Sequence, residues 1–188
     1  MCIILASQSP RRRALLASVG LDVEVQPSDI DETARPGESA LAMTVRLCQA
    51  KAAACIHDDK VVIAADTLVE IDRQALGQPE DIAHAKRMIR MLSGKTHGVH
   101  TTVCVRLADT YALETVTTFV SFREITEDEI DVYVQHNEIL DKAGAYAIQG
   151  GASGFITGIE GSLDNVIGLP VRTTLSLIAK VQYEVETI

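Results

Sequence analysis

Cys2-Ile3-Ile4-Leu5-Ala6-Ser7-Gln8-Ser9-Pro10-Arg11-Arg12-Arg13 passes from five apolar residues to three arginines within one short stretch. Residues Cys2–Ala6 are continuously apolar rather than alternating, which predicts a short buried strand. Ser9 then offers a helix cap, Pro10 suits the first helical position, and Leu15, Leu16 and Val19 form an apolar stripe. Gly20 closes that helix. A buried strand turning directly into a helix opens an α/β fold, and the rest of the chain is consistent with one.

Val23–Gln26 is expected as a second strand, followed by an acidic loop carrying Asp29, Asp31 and Glu32. A helix is expected from about Ser39 to Ile56, because Leu41, Val45, Cys48, Ala52 and Cys55 recur at helical spacing. Val61-Val62-Ile63-Ala64-Ala65 reads as another buried strand, stopping at Asp66-Thr67. Pro79-Glu80-Asp81 opens a helix with Ile82, Ala85, Ile89 and Leu92 on one side. Val99, Thr101, Val103, Val105 and Leu107, then Val116, Thr118, Val120 and Phe122, alternate with period two. This predicts an antiparallel pair joined by about six residues. Thr126-Glu127-Asp128-Glu129 has the form of a capping box for a helix through about Gln135. Seven of the twelve glycines lie between Gly144 and Gly168, which predicts loops and short strands, and a last helix follows Pro170. The order implies a mixed α/β sheet with flanking helices. A length of 188 residues favours one domain, 1–188, with room for two lobes around a cleft.

Composition narrows the function classes. With 47% apolar and 23% charged residues the chain is globular rather than disordered. A net charge of −9, from 17 Lys+Arg against 26 Asp+Glu, argues against a general nucleic-acid binder. No apolar run reaches the ~18–20 residues of a membrane helix. Met1–Ala6 is too short for a signal-peptide core and lacks a preceding basic residue, so a cytoplasmic location is expected. Cys2, Cys48, Cys55 and Cys104 form no CxxC pair and read as buried reduced thiols. The five histidines show no metal-ligand spacing.

Four segments carry candidate chemistry. Arg11, Arg12 and Arg13 occupy the first turn of a helix, where cations are disfavoured unless an anion arrives, and no acidic residue precedes Asp22. The planar Arg fork suits phosphate, although a solvated helix paired with acids from elsewhere has the same pattern. Asp66, directly after five apolar residues, suits a base or a metal ligand, and a turn-capping Asp is the plainer alternative. Asp29, Asp31 and Glu32 suit a hard divalent cation beside phosphates, or are simply solvated. Lys142 offers a point charge for phosphate and Gln149 a donor and an acceptor for a base edge, within the glycine-rich Asp141–Gly150 block.

Taken in order, Ala6-Ser7-Gln8-Ser9-Pro10-Arg11-Arg12, Glu32, Arg46-Leu47 with Lys51-Ala52, Ala65-Asp66-Thr67, Ser93-Gly94 with His97, Asp141–Gly150, and Gly161-Ser162 with Gly168-Leu169-Pro170 span nearly the whole chain. This ordered set resembles the Maf family of nucleoside triphosphate pyrophosphatases. The resemblance implies a mixed, twisted sheet with flanking helices and two lobes around a central cleft, similar to inosine triphosphate pyrophosphatases and often dimeric. It implies hydrolysis of a nucleoside triphosphate to monophosphate and pyrophosphate with a divalent cation, Mg²⁺ or Mn²⁺. Carried over by position, Asp66 is the proton acceptor, and Glu32 shares the metal with it. Arg11, Thr67 and Gln149 match positions linked to base selection, while Ser9, Arg12, Lys51 and Lys142 match phosphate-facing ones. Ala145-Tyr146-Ala147-Ile148-Gln149-Gly150 resembles the branch acting on dTTP and UTP, with the 7-methyl-GTP branch as the alternative.

Two positions depart from that pattern: Ala14, where a Glu is common, and Gln78, where a Lys is usual. A Gln supplies hydrogen bonds but no charge, so weaker turnover is expected, and a nucleotide-binding regulator of cell division with marginal catalysis stays open. A nucleotide kinase is disfavoured, since no GxxxxGK[ST] loop occurs.

Overall fold

The computed structural model describes residues 2–55, 57 and 59–187. β1 (Ile3–Leu5) leads through Ser9, whose side chain caps α1 (Pro10–Ser18), to the short strand β2 (Glu24–Val25). α2 (Ala40–Ala54), capped by Ser39, precedes β3 (Val61–Ile71) and β4 (Gln74–Leu76). Next come α3 (Ile82–Leu92), β5 (Thr96–Leu107), β6 (Thr110–Phe122) and α4 (Glu127–His136). Two single turns of 3-10 helix, β7 (Ile156–Glu160), α5 (Leu163–Ile167) and α6 (Val171–Glu186) complete the chain. No helix among the described residues is long and apolar enough to cross a membrane.

The seven strands form one mixed sheet in the order β2-β1-β3-β5-β6-β7, with β4 also beside β3. β1 runs parallel to β2 and β3, and the remaining pairs are antiparallel. β3 is longer than the sequence suggests. It does not stop at Asp66-Thr67 but continues to Ile71, so both residues sit in mid-strand. One edge of β3 is paired with β5 from Val62 to Glu70. On the other edge, β1 pairs only up to Ile63 and β4 only from Val69. Among the described residues no strand covers that edge between them. This interruption in the sheet is what opens a cleft.

Three apolar clusters pack around the sheet. Ile3, Leu5, Ile63, Ala65, Val103 and Val105 meet Leu16 of α1 and Leu177, Ile178 and Val181 of α6. On the opposite face, Ile4, Val62, Ala64 and Cys104 meet Cys48 and Ala52 of α2. The second lobe gathers Val69, Val99, Val120 and Phe122 under α3 and α4.

Several expectations are corrected in detail. β5 and β6 are joined by two residues, Ala108-Asp109, not about six. Tight hairpin turns usually place glycine or asparagine at positive φ, but here Ala108 adopts φ +50°, so the usual signal was missing. The buried face of α2 is Ala40, Thr44, Leu47, Cys48, Lys51 and Ala52, rotated from the Leu41–Val45 stripe, and Leu41 is exposed. The predicted end of that helix at Ile56 lies outside the described residues. Val19 and Ile82 are exposed, and Met88 rather than Ile82 completes the buried side of α3. Cys2 is exposed, whereas the other three thiols are buried and free. α5 was not expected; it stands within the glycine-rich segment read as loops and strands.

His97 lies in the second core, its Nε2 2.8 Å from the Tyr146 hydroxyl and its ring edge-on to Phe122 and Tyr146. Burial pushes this imidazole down from 6.5 to about 4. Between those values the unfolded chain takes up a proton that the folded protein refuses. The resulting stability is therefore fully present above pH 6.5 and is lost as pH falls towards 4. Thermal unfolding of the protein should show a loss of roughly 3 kcal/mol across that window. His97→Gln should flatten the dependence; identical pH slopes for the two proteins would discount His97 as its source.

Candidate functional site

The cleft holds a cavity of about 1030 Å³, and the nine residues to which the resemblance gives roles line it: Ser9, Arg11, Arg12, Glu32, Lys51, Asp66, Thr67, Lys142 and Gln149. Asp29 and Asp31, from the same acidic loop as Glu32, do not. Asp31 instead accepts from the backbone N–H of Thr33.

Asp66 is almost wholly buried on the face of β3 that α2 covers. Lys51, in the last turn of α2, donates to its Oδ1 at 2.7 Å. The same ammonium lies 2.9 Å from Oε1 of Glu32. Lys51 thus joins the two carboxylates, and its burial explains why the helix presents a polar residue inward. The Oδ2 atom of Asp66 is buried and has no hydrogen-bond partner. A buried carboxylate oxygen left bare is costly unless something meets it in the working state.

Arg12 is buried on the other side of β3. Its Nε donates to the Gly168 carbonyl at 2.8 Å, Nη1 to Ser7 Oγ at 3.0 Å and Nη2 to Thr67 Oγ1 at 3.1 Å. These are neutral acceptors, and Arg12 makes no ion pair among the described residues. Burial draws the guanidinium below its usual value, while the Asp66 carboxylate pushes it back up. It remains a cation, held rigidly at the first turn of α1. Thr67 Oγ1 is in turn 2.9 Å from Thr101 Oγ1, which donates to the Asn165 carbonyl at 3.1 Å. The Thr67 proton therefore goes to Thr101, and Thr67 is a support for Arg12.

Arg11 and Lys142 come from opposite lobes and share one carboxylate. Arg11 Nη1 is 3.2 Å from Asp141 Oδ2, and Lys142 Nζ is 2.6 Å from Asp141 Oδ1. Gly144 brings this segment against β3. It sits at φ +68°, and a Cβ there would fall 2.9 Å from Val69 Cγ2. Gln78 donates to the Asp141 carbonyl at 3.3 Å, so at this position a hydrogen bond stands where the family resemblance implies a charge. Gln149 is exposed at the cavity wall and also borders a smaller hollow of about 330 Å³.

The site also uses residues that sequence reading gave no role: Ser7, Thr101, Gly168 and Asp141. Ser7 was indistinguishable in sequence from its neighbour Ser9. Thr101 carries no signal in the sequence beyond its place in a strand alternation. The others lay in a glycine-rich region whose path no local pattern fixes.

The residues present fit a divalent cation. Two carboxylates on one ammonium, one with a bare buried oxygen, suit a hard ion whose other ligands are phosphate and water. No group of three or more His, Cys, Asp or Glu that could hold a metal ion occurs among the described residues.

Comparison with known proteins places the chain in a family. The Maf-like protein family matches residues 2–181. A dTTP/UTP pyrophosphatase of Anaeromyxobacter dehalogenans is 46% identical over 182 residues, covering 95% of this chain and 93% of that protein. A dTTP/UTP pyrophosphatase of Chromobacterium violaceum is 44% identical over 189 residues, covering 97% and 96%. Among solved structures, a HAM1 protein from Coxiella burnetii overlaps 65% of this chain and 73% of that one, with TM-score 0.43 and 14% identity, and nothing about the site rests on it. A match over almost the full length, with relatives well above two-fifths identical, establishes that the chain belongs to the Maf-like protein family.

Proposed function

We propose that this chain, working as a single domain, hydrolyses dTTP and UTP to the monophosphate and pyrophosphate. The observation that carries the reading is the meeting of Arg11, Arg12, Lys51 and Lys142 with Asp66 and Glu32 in one cavity of an otherwise acidic protein. Four cations set among the carboxylates of Glu32, Asp66, Glu80 and Asp141 suit a polyanion that brings a metal ion with it.

In this reading the bare Oδ2 of Asp66 takes a proton from the attacking water, while Lys51 fixes the other oxygen and so the orientation of the carboxylate. The water oxygen bonds to the α phosphorus, and the bond to the bridging oxygen breaks, its electron pair leaving with pyrophosphate. Arg12 and Lys142 stabilise the charge that develops there. Ser9 caps α1 by accepting from the Arg12 amide, which keeps the phosphate-facing turn in place. When bound, a divalent cation held by Glu32 and Asp66 would neutralise phosphate oxygens and lower the barrier to attack. Gln149 and Arg11 bond the pyrimidine edge, and Thr67 contributes by fixing Arg12 rather than by donating.

Pyrophosphate release across a panel of nucleotides and metal ions tests the whole reading. Release from UTP and dTTP with Mg²⁺ or Mn²⁺ is expected. Release confined to 7-methyl-GTP, or tight UTP binding without turnover, would overturn it in favour of the other branch or of a regulator. Gln149→Ala should shrink the preference for UTP over GTP by up to ~10-fold, the worth of a neutral hydrogen bond, more than it lowers turnover. An unchanged ratio of kcat/KM values would remove Gln149 from base reading.

A further inference from the structure

Arg11 belongs to the first turn of α1, and Asp141 and Lys142 to the segment that leaves α4 in the other lobe. The Asp141 carboxylate meets both cations, one on each oxygen, and its backbone carbonyl accepts from Gln78 in the segment between β4 and α3. Arg11, Gln78, Asp141 and Lys142 all line the cavity, so three stretches of chain are tied together at its rim by one acidic residue.

An acidic residue beside two cations that face the substrate can do one of two things. It can mask them, occupying the place of the substrate, or it can hold them apart and aimed. The charge count decides between these. One carboxylate against two cations leaves a net positive charge, still able to take an anion. The Asp141 carboxylate divides itself between them, one oxygen to each, which fixes their separation.

We propose that Asp141 is a positioning residue for substrate binding: it straps the two lobes across the cavity mouth and sets Arg11 and Lys142 at the spacing the nucleotide requires. This rests on the function proposed above. Asp141 touches no reacting atom in this account and acts through Arg11 and Lys142, so its loss should weaken binding more than chemistry.

The test is steady-state kinetics with UTP on the full chain, paired with calorimetric binding of a non-hydrolysable UTP analogue. Asp141→Asn keeps the shape but removes the charge. KM and Kd are expected to rise about 10-fold, with kcat changed less than about 3-fold, the range of a lost charge-assisted hydrogen bond. Asp141→Glu should recover most of the affinity. In an Arg11→Gln background the Asp141→Asn effect should shrink by at least half, since its partner is gone. A fall in kcat at constant KM, an unchanged KM, tighter binding, or full additivity with Arg11→Gln would each overturn the inference while leaving the function intact, provided the wild-type chain turns over UTP. A wild-type chain inert towards UTP and dTTP would overturn both.

Discussion

Asp66→Asn should lower UTP turnover by at least ~10²-fold while leaving nucleotide affinity within a few-fold. The substitution is close to isosteric, and the remaining carbonyl oxygen still accepts from Lys51, which retains Glu32 as its charged partner. What disappears is the basicity of the Oδ2 atom, a buried carboxylate oxygen without a hydrogen-bond partner among the described residues. A structural role would predict a different outcome. Taking one member from a buried ion pair destabilises by a few kcal/mol, so loss of activity would track loss of folded protein. Circular dichroism and a thermal melt on the same sample separate the two. Near-normal kcat in a folded Asp66→Asn protein would rule the residue out as the base.

Arg12→Met should reduce kcat/KM by ~10²–10³-fold, the scale on which loss of one preorganised charge-stabilising donor acts. Arg12 is buried, touches only neutral acceptors and has no carboxylate in ion-pair contact among the described residues. Keeping such a cation out of water is unfavourable unless an anion visits it. Arg12→Met also strips a donor from Ser7, Thr67 and the Gly168 carbonyl, so some stability is lost. Arg12→Lys separates these effects: it keeps a charge in the pocket but cannot reach all three acceptors in one plane. It should recover part of the activity of Arg12→Met without recovering the full melting temperature. Equal kcat/KM for wild type and a folded Arg12→Met protein would show that the guanidinium serves the fold alone.

The sequence was most readable where chain-local chemistry decides the outcome. Ser9, Ser39 and Thr126 cap the helices they were expected to start, and the box of Thr126 with Glu129 is present in full. Asp66, Lys51 and Glu32 were each singled out, but not their order in space. That Lys51 would sit between the two carboxylates follows from α2 crossing β3 with Thr44 and Lys51 on its otherwise apolar buried face, a tertiary choice that the Leu41–Val45 stripe obscured. The continuation of β3 beyond Thr67 was hidden for a related reason. A polar pair normally ends a buried strand, and here it is tolerated because one edge of the strand faces a cavity. Asp141 escaped a role because the partners that give it one are 130 residues away in Arg11 and across a loop in Gln78.

The break in the sheet beside Ala64–Leu68 has a mechanical consequence. β3, β5 and β6 run unbroken past it, pairing from Val62–Arg106 to Glu70–Gly98 and from Leu107–Thr110 to Thr96–Ser121, and so form a stiff spine common to both halves of the molecule. Folding the halves together like a book would have to shear those ladders. Substrate capture in this protein is therefore an affair of fingertips, with long side chains and short turns gripping the nucleotide against a palm that does not bend.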